Sequence, residues 1–149
     1  AFLQPDLMLS VHGNADETGE ASGFECYPAV PGMENHEASM EFAALLAEEM
    51  EAAGSELRGG NGIRFGYYVN GQKMLVDSTD TTVYDYDTFG VLKNQEGAAV
   101  LVEQCFVTNE RDVAQFGTEE GCQKAAEAYY RAILRYLGAE ETTKNQSEP

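Results

Sequence analysis

Two side chains suited to proton transfer or metal binding stand at the ends of two apolar runs. Residues 6–12 read DLMLSVH and end in His12; residues 98–103 read AAVLVE and end in Glu103. Short continuous apolar runs fit strands buried on both faces of a parallel sheet. Glutamate is almost never fully buried without a partner. At the carboxyl end of such a strand it occupies the place where open α/β sheets hold ligands. A half-buried carboxyl there has a raised pKa and serves as a general base near neutral pH. The competing reading pairs Glu103 with an arginine or a helix N-terminus. The arginines are Arg58, Arg64, Arg111, Arg131 and Arg135, and the last two fall on an exposed helix face, so partners are scarce and the chemical role is favoured. His12 is open to two readings, a hydrogen-bonded structural residue or a ligand. Gly13 lets the backbone come close and Asn14 can orient a neighbour.

Other candidates carry less. His36 and Glu37 open a helix, with His36 facing solvent. Cys26, Cys105 and Cys122 are odd in number and match no zinc or disulfide spacing; Cys105 and Cys122 read as small buried hydrophobes. The acidic segment with Asp77, Asp80, Asp85 and Asp87 lacks the spacing of a calcium loop. No G-x-S-x-G, phosphate loop, dinucleotide fingerprint or C-x-x-C is present. The net charge of −17 would repel nucleic acid and anionic lipid, so neither is expected as a partner. No run approaches the eighteen or more apolar residues of a membrane span, and the N-terminus lacks the features of a signal peptide.

The elements that must position His12 and Glu103 read as one α/β domain with a largely parallel twisted sheet flanked by helices. Strands are expected at residues 7–11, 23–27, 89–92 and 98–103. A helix over residues 34–53 carries an apolar stripe of Ala38, Phe42, Leu45, Leu46, Met50 and Ala53, stopped by Gly54. Residues 63–69 and 73–77 flank Asn70-Gly71, the pair that a type I′ hairpin turn favours, and read as a hairpin inserted beside the sheet. Asn109 caps a short helix over 110–116, and Thr118 caps the last helix over 119–137. The last helix's stripe is Cys122, Ala125, Ala126, Tyr129, Tyr130, Ile133, Leu134 and Leu137, and Gly138 ends it. Residues 1–138 form the domain; residues 139–149 read as a polar tail or linker.

These segments resemble the catalytic domain of zinc-dependent N-acetylmuramoyl-L-alanine amidases, the bacterial and phage cell-wall hydrolases. Residues 6–15, DLMLSVHGNA, resemble that family's D-L-x-[IV]-S-[IV]-H-x-N-A segment. Residues 23–27, GFECY, are similar to its G-x-E-x-[YF] strand. Residues 89–94, 99–103 and 106–109 resemble its [FY]-x-V-L-[RK]-x, P-A-[VI]-L-[VI]-E and [GC]-[FY]-[LIV]-[ST]-N segments. The resemblance implies zinc held by two histidines and a glutamate, with His12 as the second histidine and Glu103 as the catalytic glutamate. The implied reaction cleaves the bond from the lactyl group of muramic acid to L-alanine of peptidoglycan, in the cell envelope or outside the cell. The family's first zinc histidine and its glutamate ligand precede the matched segments, so the chain resembles the C-terminal portion of the domain. His36 and Glu25 are conceivable substitutes and are not assigned. Asn14, Tyr84, Tyr86 and Phe89 are candidate substrate contacts, with ordinary structural aromatics the equal alternative for the last three. A non-catalytic peptidoglycan-binding or regulatory domain that has lost the metal is the rival reading; a related zinc peptidase is a third.

Overall fold

The computed structural model describes residues 3–138 and contains both strands and helices. In order they are β1 (Leu7–Asn14), β2 (Glu25–Pro28), α1 (His36–Ala52), β3 (Arg64–Val69), β4 (Gln72–Asp77), β5 (Asp87–Thr88), β6 (Ala98–Phe106), α2 (Glu110–Asp112) and α3 (Glu119–Leu137). The expected tail over residues 139–149 lies outside the described residues. Among the described residues no helix is long and apolar enough to cross a membrane.

The first sheet has the order β1-β6-β2. β1 runs parallel to β6 and β2 antiparallel to it, so the sheet is mixed rather than largely parallel. A parallel return needs a crossover of about a dozen residues or more, and the loop between β1 and β2 is too short for one. Along β6, Ala98, Val100 and Val102 face the helical layer, where they pack with Phe24, Cys26, Phe42, Leu46 and Met50. Ala99 and Leu101 face the other way, onto Tyr27, Phe89 and Leu92. Both faces are therefore covered, which is why the run lacks polar alternation.

The hairpin forms as expected, with Asn70 and Gly71 at φ +51° and +76°. It does not extend the first sheet. With β5 it makes a second sheet, β4-β3-β5, which joins the edge of β2 through the bridge of Ile63 to Cys26 and turns Leu75 toward the face that carries Ala99 and Leu101. The expected strand at 89–92 is replaced by a single tight turn, Gly90–Leu92, after the two-residue β5. Phe89 turns inward there, and its ring lies so close to Gly66 that a Cβ on that glycine would stand 2.3 Å from it.

Both long helices are set deeper on small residues than their apolar stripes suggested. α1 buries Ser39, Ala43 and Ala47 beside Phe42, Leu46 and Met50. Ser39 accepts a hydrogen bond from Ala99 N at 2.9 Å, tying the helix to β6. α3 buries Gly121, Ala125, Ala128, Tyr129 and Ala132, while Cys122, Ala126, Tyr130 and Leu137 are exposed. Cys122 is thus not a buried hydrophobe; Cys105 is. Close approach selects this face, since a Cβ on Gly121 would stand 2.3 Å from Gln115 O. The caps are as expected: Asn109 accepts from Arg111 N and Asp112 N, Thr118 accepts from Gly121 N, and Gly138 adopts the left-handed conformation.

Candidate active site

Register across the first sheet assembles the site. His12 of β1 is the direct neighbour of Glu103 on β6, and Glu25 of β2 is its neighbour on the other side. Side chains alternate along a strand, so the three stand in one row on the face toward the second sheet, continuing Met8, Leu101 and Tyr27. The two carboxylates differ in their surroundings. Glu25 is 2% exposed. It accepts hydrogen bonds from Arg58 Nε at 2.8 Å, Asn14 Nδ2 at 3.0 Å and Arg64 Nη1 at 3.4 Å, and from the Tyr27 hydroxyl. Burial pushes its carboxyl up, but the Tyr27 hydroxyl and the two guanidinium groups outweigh that and hold it below the usual value. Glu103 has none of these partners, and its Oε2 is buried with no hydrogen-bond partner. Burial raises its pKa; the charges of Lys73 and His12 pull the other way, and Glu25 adds to the rise.

A groove of about 280 Å³ opens over this pair, lined by His12, Tyr68, Lys73, Phe89, Gly90, Val91, Leu101 and Glu103. The first sheet forms its floor and the second sheet its wall. His12 is exposed, and its Nε2 shares a 2.7 Å hydrogen bond with Ser10 Oγ. Two other hollows, one of about 240 Å³ beside Cys105 and Arg111 and one of about 530 Å³ against α1 at Ala47 and Leu57, bring no histidine and carboxylate together.

The structure joins His12, Glu103 and Phe89 in one groove. Asn14 does not line it; its amide is engaged on Glu25 and its Oδ1 accepts from Ala15 N. Tyr84 and Tyr86 stack on each other at 5.2 Å and pack edge-on to Tyr67. Tyr67 alternates with Tyr68 along β3, so these rings belong to the opposite face of the second sheet. His36 is half-buried rather than solvent-facing, with Nδ1 2.7 Å from Ala29 O and its ring edge-on to Phe65. Lys73 and Tyr68 are absent from the candidates read in the sequence. The hairpin turn fixes them as cross-strand partners, a signal present in the sequence, but their place over Glu103 depends on how the second sheet docks.

Among the described residues, no three His, Cys, Asp or Glu side chains group closely enough to hold a metal ion. What the row offers is one accessible imidazole beside one poised carboxylate, an arrangement suited to moving a proton at a polar bond.

The family described as N-acetylmuramoyl-L-alanine amidase matches residues 3–135. No curated protein matches. Among solved structures, the chain is similar to the N-acetylmuramyl-L-alanine amidase Ami1 from Mycobacterium smegmatis, with 23% identity, TM-score 0.67, and coverage of 91% of this chain and 56% of that one. It is also similar to the catalytic domain of the amidase CwlV from Bacillus (Paenibacillus) polymyxa, with 22% identity, TM-score 0.63, and coverage of 90% and 59%. The amidase AmiC2 of Nostoc punctiforme gives 20% identity, TM-score 0.63, and coverage of 89% and 58%. At these identities the likeness speaks for the fold, and the chain spans a little over half the length of these structures.

Proposed function

We propose, for a chain that belongs to the N-acetylmuramoyl-L-alanine amidase family, that the His12–Glu103 groove hydrolyses the amide between N-acetylmuramic acid and L-alanine of peptidoglycan. One observation carries this reading: Glu103 has a buried oxygen without a partner, directly beside an accessible histidine. Amide hydrolysis needs a water deprotonated and a proton returned to the departing amine. Glu103 is the group for both transfers: its raised pKa makes it a stronger base than an ordinary carboxylate, and Oε2 has no internal hydrogen bond to break. Tyr68, Phe89 and Leu101 narrow the space around the reacting bond. Action on this polymer places the protein in the cell envelope or outside the cell.

Zinc, which the family resemblance implies, finds His12 in the groove and, besides it, only Glu103, the carboxylate assigned here to proton transfer. A catalytic zinc takes three protein ligands, so the described residues do not fit the ion by themselves. That shortfall favours a second reading, a peptidoglycan-binding module without catalysis. Assay of purified sacculi across a zinc titration separates the two. The enzyme reading expects muramoyl–alanine cleavage, lowered about 10²–10⁴-fold by Glu103→Gln. Cleavage that survives the substitution removes Glu103 from the reaction. Binding to sacculi with no cleavage at any zinc level establishes the module instead.

A further inference from the structure

Most cations of the described chain answer an internal carboxylate. Arg58 and Arg64 hold Glu25, Lys93 meets Asp87, and Arg131 and Arg135 meet Glu48 and Glu49. Lys73 does not. Its Nζ is held over the Phe89 ring at 5.3 Å and the Tyr27 ring at 5.5 Å from their centroids, a contact that aims an ammonium without neutralising it. Those rings are themselves fixed. Tyr27 and Phe89 meet edge to face at 5.1 Å, and Tyr68 meets Phe89 at 5.6 Å. Tyr68 is also the direct cross-strand partner of Lys73. Lys73 is therefore a placed positive charge in the same groove as Glu103, on a chain whose net charge is −17.

The geometry points to Lys73 as a specificity residue that takes a carboxylate of the peptide stem beyond the L-alanine, while apolar parts of the stem lie on Phe89 and Tyr68. The inference rests on the peptidoglycan reading above and adds which end of the substrate meets the second sheet. A stem that enters with its carboxylate on Lys73 lies along the wall formed by β4, and the glycan extends toward the open β1 side of the groove. Glu103 repels a carboxylate placed over the sheet floor, so the two charges together favour one orientation and oppose its reverse.

The test is equilibrium binding to the full chain, which needs no turnover. The probes are N-acetylmuramoyl-L-alanyl-D-glutamate and the same compound with both glutamate carboxylates converted to carboxamides. The wild type should prefer the diacid by about fivefold, the scale of an exposed ion pair. Lys73→Met, which keeps a stem over the two rings, should abolish the preference, and Lys73→Arg should restore it. Equal binding of diacid and diamide, or a preference that survives Lys73→Met, overturns the role of Lys73 and leaves the peptidoglycan reading standing. Failure of both compounds to bind the wild type overturns the peptidoglycan reading and this inference with it.

Discussion

Glu25 and Glu103 are neighbours in one row of the first sheet, yet they meet opposite conditions. Two guanidinium groups, a hydroxyl and an amide surround Glu25, whereas Glu103 keeps a bare buried oxygen. The lowered pKa of Glu25 means that its contribution to stability is present above the usual carboxylate value and is lost as pH falls through the lowered one. The raised pKa of Glu103 has the reverse sign: its contribution is present below the usual value and is lost as pH rises through the raised one. Glu103 thus weakens the fold at neutral pH, as a site residue often does. Glu25→Gln should cost about 2 kcal/mol at pH 7, because two guanidinium groups lose their anion, less than for a fully buried pair since both arginines are partly exposed. Urea unfolding at pH 7 and pH 3 checks this, and the difference between variant and wild type should shrink at the lower pH. The roles of these two residues were unequally legible. Glu103 stood out because a lone carboxylate ended an apolar run. Glu25 gave no such signal, since its partners Arg58 and Arg64 come from a later, glycine-rich part of the chain.

The groove wall depends on elements rather than single side chains. Phe89 reaches its place because β3 offers no Cβ at Gly66. Gly66→Ala should push the ring away and cost about 1–3 kcal/mol, the usual penalty of overpacking. A lower melting temperature with an altered aromatic near-UV signal is the expected outcome; an unchanged spectrum and melt would show that Phe89 accommodates the methyl group. The hairpin itself was readable, because Asn70-Gly71 supplies the two positive φ angles of its turn. The contact face of α3 was readable in part: Ala125 and Tyr129 of the expected stripe are buried, whereas Cys122, Ala126, Tyr130 and Leu137 are exposed. Apolar periodicity weighs large side chains, which marked Tyr130 and Leu137, while close helix packing selected Gly121, Ala125, Ala128 and Ala132. Tyr130 is 61% exposed as a result. The strand expected at 89–92 failed for a related reason: Phe89 and Leu92 both point inward while Val91 is left exposed, and a turn rather than an extended strand delivers them there.

At the scale of the molecule, two long helices cover one face of the first sheet, the second sheet joins beside β2, and the groove lies where the two sheets meet. The α/β class was legible, and so were two apolar runs with polar ends; that the register makes His12 and Glu103 direct neighbours was not. The groove was not, because nothing local states that the second sheet joins beside β2 and carries Tyr68 and Lys73 to the groove of Glu103. Net charge acts at this scale too. On the peptidoglycan reading proposed above, a chain of −17 approaching an acidic wall polymer is slowed by repulsion, so association with sacculi should quicken from about 10 mM to about 150 mM salt, as the screening length falls from about 30 Å to about 8 Å. Stopped-flow or pull-down kinetics at the two salts would show it, and a rate that falls with salt would mean that local attraction outweighs the global field. The position of β6 sets a last constraint. It is the central strand of its sheet, flanked by β1 and β2, with alternate residues given to the helical core and to the groove. A one-residue insertion or deletion within it would exchange those two sets, turning Glu103 toward the helices and Val102 toward the groove. Loops of this chain have room to drift in length over evolutionary time; β6 has a reading frame, and a single-residue shift there removes the core and the chemistry together.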